Sequence, residues 1–271
     1  MRRTKWVLTV LVLMVWEGLA WGDDYVDDWK YRVEVSGSYE HVTAGYGEWG
    51  GAGLTLWYRS SETLTIFLDT ALWRRNNGLQ GLGGLGVYHD WDTWLYTFTS
   101  VYMGTKSEYN PLVRVDHEFN FKLGPGGSIV GTAAFSYVKE HNDHYAIIPQ
   151  VGLSLYIPWW VFSYRFFANI SYPGRVFGPS HLISVEFGSE GRHWTYLSTN
   201  FGKSAYLATY VAIPEKVDIW MVEVHAGHRQ WLAKNWGLYL EVKFMRLFGE
   251  YDKYGLMLGF FYQWGKIPLS E

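Results

Sequence analysis

Apolar and polar residues exchange places with a period of two along most of this chain. In residues 112–123, Arg114, Asp116, Glu118, Asn120 and Lys122 fall on one parity, while Val113, Val115, His117, Phe119, Phe121 and Leu123 fall on the other. Residues 236–246 repeat the pattern, with Trp236, Leu238, Leu240, Val242 and Phe244 set against Glu241 and Lys243. In residues 254–264, Tyr254, Leu256, Leu258, Phe260, Tyr262 and Trp264 share one parity, opposite Gly255, Gly259 and Gln263. A helix would scatter these sets around its axis, whereas a strand sorts them onto two faces. The periodicity predicts fourteen strands, at 31–42, 50–59, 63–73, 79–89, 93–104, 111–123, 128–139, 145–157, 160–172, 180–188, 192–202, 217–228, 235–246 and 253–265. The fourth is weakest, because Gly81, Gly83, Gly84 and Gly86 blur its alternation, so twelve or sixteen strands stay open.

The connections add a second regularity. Short links (Arg59–Glu62, Gly124–Gly127, Pro158–Trp159, Ser189–Gly191) alternate with links read as longer (Thr43–Trp49, Tyr172–Pro179, Lys203–Lys216). That is the pattern of an antiparallel up-and-down barrel in an outer membrane, with short periplasmic turns, longer external loops and an even number of strands. Trp160 with Tyr172, Trp94 with Tyr102, and Tyr254 with Trp264 are expected to bracket the outward face as aromatic girdles. The last strand ends in Trp264, similar to the C-terminal signal read by the barrel-assembly machinery, although a tail from Gly265 to Glu271 follows it.

Composition turns this pattern toward a membrane. Aromatics make up 19% of the 271 residues, with 16 Trp and 21 Tyr beside 30 Gly and 8 Pro. Buried indole and phenol groups need hydrogen-bond partners, and a soluble core has little use for so many; the two lipid–water boundaries of a barrel use them well. Mean hydropathy is −0.10. Beyond the N-terminus no run approaches the roughly 18 apolar residues of a spanning helix. A soluble β-sandwich is the alternative reading, but its exterior would carry more Lys and Glu and fewer Gly, Ser, Thr and Tyr than the polar parity here.

Arg2, Arg3 and Lys5, the apolar stretch Trp6–Trp16 and the small residues of Ala20-Trp21-Gly22 form the pattern of a cleavable signal peptide over residues 1–22. A short acidic lead-in at 23–30 and a single barrel domain at 31–271 are expected to follow. Residues 1–22 hold three basic groups and Glu17, so a chain starting at Asp23 carries a net charge of −5 instead of −3. There is no basic surplus for nucleic acid. The absence of cysteine excludes thiol nucleophiles, thiolate zinc sites and iron–sulfur clusters.

Further motifs are similar to a known family. Glu108-Tyr109-Asn110-Pro111-Leu112-Val113-Arg114, Ser136-Tyr137-Val138-Lys139, the paired strands of 145–172, and His193-Trp194-Thr195-Tyr196-Leu197 through Gly202 follow one another as in the YaiO family of outer-membrane barrels. Gly37-Ser38-Tyr39-Glu40 and Trp57-Tyr58-Arg59 fit as well, so the resemblance spans residues 33–265. It implies fold and location and carries no catalytic motif. Relatives of this barrel type are attached to exopolysaccharide export systems behind a periplasmic helical-repeat domain, a pattern not expected in residues 1–271.

Chemistry is expected on the polar parity, which a barrel turns into its lumen. The lining candidates are Arg114, Asp116, Glu118, Asn120, Lys122, Arg165, Glu223, His225, Glu241 and Lys243, with Glu34, Glu40, Arg59, Asp69, Asn169 and Glu186 beside them. Such a lumen can be a water-filled pore or can be closed by its own ion pairs. No metal site or cofactor is expected: three residues separate His225 from His228, which places them on opposite faces, and His141 and His144 share a polar loop. No catalytic set is expected either. Ser180-His181 is the one adjacent pair at a strand end, and neighbours on a strand point apart; the signature of outer-membrane phospholipases is missing. The expected function is passage of small hydrophilic solutes or service as a polysaccharide-associated barrel. A closed structural or recognition barrel, with Tyr206–Ile213 and Phe177–Pro179 as aromatic outer loops, and a lipid-modifying enzyme are the alternatives. Expected partners are outer-membrane lipid, lipopolysaccharide and the barrel-assembly machinery; the sequence does not indicate an oligomeric state.

Overall fold

The computed structural model describes residues 28–107, 110–141, 143–203 and 219–267; the signal-peptide segment 1–22 and the start of the lead-in lie outside the described residues. Fourteen strands follow in order: β1 Tyr31–Val42, β2 Gly47–Arg59, β3 Leu64–Arg75, β4 Gly78–Asp92, β5 Leu95–Gly104, β6 Val113–Leu123, β7 Ile129–Lys139, β8 Tyr145–Ile157, β9 Trp160–Tyr172, β10 Val176–Ser189, β11 His193–Lys203, β12 Trp220–Ala233, β13 Trp236–Leu247 and β14 Tyr251–Trp264. Each pairs antiparallel with its neighbours in sequence, and β1 pairs with β14 from Tyr31↔Trp264 to Val42↔Lys253, closing the barrel.

The period-two alternation becomes an inside and an outside. Outward positions such as Leu68, Val101, Phe119, Val151, Leu197 and Leu258 are large, apolar and exposed. Inward positions such as Glu40, Asp116, Asn120, Gln150, Asn169 and Glu223 are polar and buried. A polar interior and an apolar exterior invert the soluble arrangement and match a lipid-embedded barrel. Aromatic rings collect at both rims of the outer surface. At the end where β1 begins and β14 ends, Tyr31 stacks between Tyr58 at 5.4 Å and Trp264 at 5.5 Å. At the far end Tyr145 stacks on Tyr172 at 4.6 Å.

Three histidines on the lipid side are paired across strands. His117 Nδ1 lies 2.8 Å from Thr99 Oγ1, His181 Nδ1 2.9 Å from the Tyr164 hydroxyl, and His228 Nδ1 2.8 Å from Thr195 Oγ1. Water is not at hand in hydrocarbon, so each imidazole takes its partner from the neighbouring strand.

The glycines that blur β4 have a packing role. Gly86 faces Phe67 across the ladder, and a Cβ on it would lie 2.1 Å from the ring. Gly84 makes the same room for Tyr102, which therefore points into the lumen and is not the outward girdle residue expected from its spacing to Trp94. Two links read as long loops shrink to Thr43–Tyr46 and Pro173–Arg175, because β2 starts at Gly47 and β10 at Val176. Phe177–Pro179 belongs to β10, so it is not an outer loop. Proline reads as a breaker because it lacks a ladder donor, yet Gly178↔Asn169 and Ser180↔Phe167 carry the pairing past Pro179. Residues 204–218, with Tyr206–Ile213, lie outside the described residues.

Val151 sits halfway along β8 on the lipid side. Val151→Arg is expected to lower the unfolding free energy in vesicles by about 2–4 kcal/mol, as for a charge near the bilayer midplane. Guanidinium titration, with Val151→Leu as the neutral control, checks this. In the loop after β7, burial pushes the Glu140 carboxyl from its ordinary 4.5 up to about 7, an effect that neighbouring Lys139 only partly offsets. The folded state holds this proton more tightly than the unfolded chain, so stability falls as pH rises from 4.5 to 7. Glu140→Gln is expected to remove that loss, at most about 3 kcal/mol at pH 8, and to change little at pH 4. Unfolding titrations at both pH values test it.

Candidate functional site

The inner row of β6 meets partners on both sides. Arg114 Nε donates to both Asp116 oxygens at 3.0 and 2.9 Å. Asp116 also accepts from Ser136 Oγ at 2.5 Å and Ser100 Oγ at 3.2 Å. Arg165 reaches from β9 to Glu118 with two parallel bonds of 2.5 and 3.2 Å, and donates to Gln150 at 3.3 Å. A forked guanidinium–carboxylate pair is among the strongest polar contacts available. Asn120 accepts from Thr132 at 2.7 Å, and Lys122 donates to Asp90 at 2.5 Å while lying over the Tyr96 ring. All five β6 residues and Arg165 therefore lie on the inner wall, and this part of the lumen is cross-braced.

Glu223, His225, Glu241 and Lys243 meet on the opposite side. His225 bridges Glu223 at 2.9 Å and Glu241 at 3.6 Å. Lys243 lies 3.5 Å from Glu241 and 3.6 Å from Glu40, and Lys253 lies 3.7 Å from Glu40. Tyr196 donates its hydroxyl to Glu241. Sequence reasoning missed Lys253, Arg32 and Arg229, although each shares a parity with inward residues that it did find. Arg229 donates to Glu34 at 2.8 Å. Arg32 reaches Glu190 in the β10–β11 turn and bonds Gln263 at 2.8 Å.

Between the wall of β1–β3 and that of β10–β14 the lumen is hollow. The chamber holds about 900 Å³. Carboxylates from Glu34, Glu40, Asp69, Glu186 and Glu241 face it, with Arg229 and Lys243. Trp73, Trp194, Trp231 and Tyr239 supply aromatic walls. Asp69 accepts from Thr55 at 2.8 Å and Glu186 from the Trp194 indole at 2.8 Å. Among the described residues neither has an ion-pair partner, which leaves their charge to the chamber. Toward the far end the lumen is packed with apolar side chains: Val42, Trp49, Met221, Met245, Leu247 and Tyr251 form one cluster, and Val138, Ala146, Ile148 and Phe167 another.

The other candidate chemistries separate in space. Ser180 points inward to Asn169 at 3.3 Å, while His181 points outward to Tyr164, so the pair makes no nucleophile–base contact. His225 faces the lumen and His228 the lipid side. Among the described residues, His141 and His144 included, no three side chains converge as metal ligands.

A closed antiparallel barrel with a lipid-facing apolar surface and a charged interior is an outer-membrane β-barrel protein, and the outer membrane is its location. The chain belongs to the YaiO family: the family model of the YaiO membrane beta barrel domain matches residues 30–207. The match ends before β12, while the barrel continues to β14. No curated protein matches the chain. Among solved structures, the chain is similar to the CymD monoaromatic hydrocarbon channel, with TM-score 0.58 at 6% identity over 88% of this chain and 89% of that one. A bacterial polysaccharide outer membrane secretin gives TM-score 0.56 at 7% identity, covering 89% and 100%. Outer membrane protein Omp33 of Acinetobacter baumannii gives 0.54 at 12% identity, covering 88% and 100%. At these identities the likeness is one of fold alone.

Arg165→Ala is expected to destabilise the barrel by about 3 kcal/mol, because it leaves Glu118 enclosed without its cation. Adding Glu118→Gln should recover most of the loss. A double-mutant cycle measured by chemical unfolding checks this, and strictly additive effects would refute the coupling.

Proposed function

We propose that this protein is a gated outer-membrane channel for small hydrophilic solutes, with a preference for cations. The observation that carries the reading is the hollow, carboxylate-lined chamber in a lumen otherwise braced and packed. Folding left about 900 Å³ unfilled on one side, although long side chains on facing strands fill the other. A cleft with one excess sign of charge and low-dielectric walls concentrates counter-ions, and carboxylate linings are what cation pathways use. Asp69 and Glu186, free of basic partners among the described residues, set that sign. The apolar clusters at the far end describe the resting state of such a channel, which opens when they part. In this reading the chain is exported behind its 1–22 signal, folded by the barrel-assembly machinery and embedded among outer-membrane lipid and lipopolysaccharide.

A second reading, a closed scaffold barrel, is favoured by the same apolar clusters and by the buried ion pairs, which can seal a lumen permanently.

Planar-bilayer recordings of the refolded protein under a potassium chloride gradient separate the two readings. The channel reading expects discrete steps with a cation-selective reversal potential. Asp69→Asn with Glu186→Gln should cut the cation-to-anion permeability ratio by about threefold or more, as neutralising a charged lining does. Silence from protein shown to be folded by heat-modifiable gel migration overturns the channel and supports the scaffold.

A further inference from the structure

At the barrel end where β1 begins and β14 ends, the chamber wall includes Glu190 of the β10–β11 turn, and a residue outside the strand ladder turns in there. Ladder pairing continues one residue beyond β1: Lys30 N–H donates to Trp264 O at 3.1 Å, and Arg59 N–H to Lys30 O at 2.8 Å. Strict alternation would place Trp29 on the lipid side with Tyr31. Instead the chain bends at Lys30 and Trp29 is 9% exposed. Its ring lies 4.1 Å from the Arg32 guanidinium and 5.0 Å from that of Arg59, both on the inner parity of β1 and β2. The indole is thus turned inward at this end and held between two cations, an arrangement that gains strength as it is desolvated.

Arg32 reaches across the same end of the barrel. From β1 it bonds Gln263 on the neighbouring β14 and pairs with Glu190 in the β10–β11 turn, five strands away around the closed ring. Glu190 is itself part of the chamber wall, as are Glu34 and Arg229 just inside it. Beyond β14, Ile267 is buried and donates its N–H to Asp28 O at 3.0 Å, and Lys266 pairs with Asp28 at 3.2 Å. The peptide carrying Trp29 is therefore tied down by the chain beyond β14, and the indole is tied down by Arg32 and Arg59.

We propose that Trp29, clamped by Arg32 and Arg59 and bridged to Glu190, is a periplasmic gate that must swing out before a solute reaches the chamber. The segment has the anatomy of a latch. It lies outside the fourteen strands, so moving it costs no barrel pairing. Its ring contacts with Arg32 and Arg59 are side-chain contacts, not ladder bonds. The inference rests on the chamber as the working part of the channel; its test reads access to the chamber, so that its failure and the channel's failure are told apart.

The chain has no cysteine, so Ser36→Cys places a single thiol on the chamber wall. The refolded full chain is treated with a hydrophilic maleimide, and the labelling rate is measured with Trp29 present, in Trp29→Ala and in Trp29→Phe. Heat-modifiable migration verifies folding of each. The gate predicts slow labelling with Trp29, acceleration of roughly tenfold or more in Trp29→Ala, the factor that loss of a desolvated cation–π contact represents, and slow labelling again in Trp29→Phe. Equal rates in all three folded proteins, whether fast or slow, overturn the gate. Accelerated labelling in a protein that carries no current keeps the gate and removes the channel.

Discussion

Every other feature of this molecule depends on the closure between β1 and β14. In hydrocarbon an unpaired backbone N–H or C=O finds no water, and each costs several kcal/mol. An open sheet of fourteen strands would expose two edges of such groups to lipid. The twelve paired positions from Tyr31↔Trp264 to Val42↔Lys253 remove both edges at once. Closure also forces inside and outside to be consistent around the ring, since a slip of one residue in any ladder would turn a charged row toward lipid. The unbroken parity from Glu34 on β1 to Glu241 on β13 is thus a consequence of the closure.

Closure at this strand number leaves a lumen too wide for short side chains to fill and too narrow to be left lined with unpaired charge. The protein answers differently on its two sides. Under β5–β9 long side chains meet: Arg165 spans to Glu118, and Asp116 gathers Arg114, Ser100 and Ser136. Elsewhere on the ring inward glycines make room for rings, since Gly86 lets Phe67 lie flat and Gly259 does so for Tyr239, where a Cβ would meet the ring at 2.1 Å. Under β1–β3 and β10–β14 the inward residues are shorter or are drawn against their own wall. Ser36, Ser38, Gly53 and Ala71 reach little, and Glu241 and Glu40 are held by His225 and Lys243 nearby. The chamber is what remains.

Much of this was legible in the sequence because it rests on local alternation. The bounds of β1, β8 and β9 coincide with the periodic segments, and the inner face of β6 follows from parity alone. What the sequence hid is whatever depends on reach across the lumen. Nothing local pairs Arg165 with Glu118, 47 positions earlier, or Arg32 with Glu190, 158 positions later. Tyr102 misled for a related reason: its spacing to Trp94 fits a girdle, but Gly84 on the adjacent strand opened a place for it inside. Trp29 breaks parity because the ladder stops at Lys30, and an alternation argument has no purchase beyond the last paired residue.

The uneven filling bears on what such a barrel can do. A lumen braced all round would be a rod, and one lined all round with water would be a passive hole. Here the braced half ties strands across the lumen beside the hollow half. Side chains reach across both ends of that hollow: the Val42, Trp49 and Met245 cluster at the external end and the Arg32–Glu190 bridge at the other. Side-chain closures can open while every backbone bond of the barrel stays made, which separates the part that must be rigid in lipid from the part that can move.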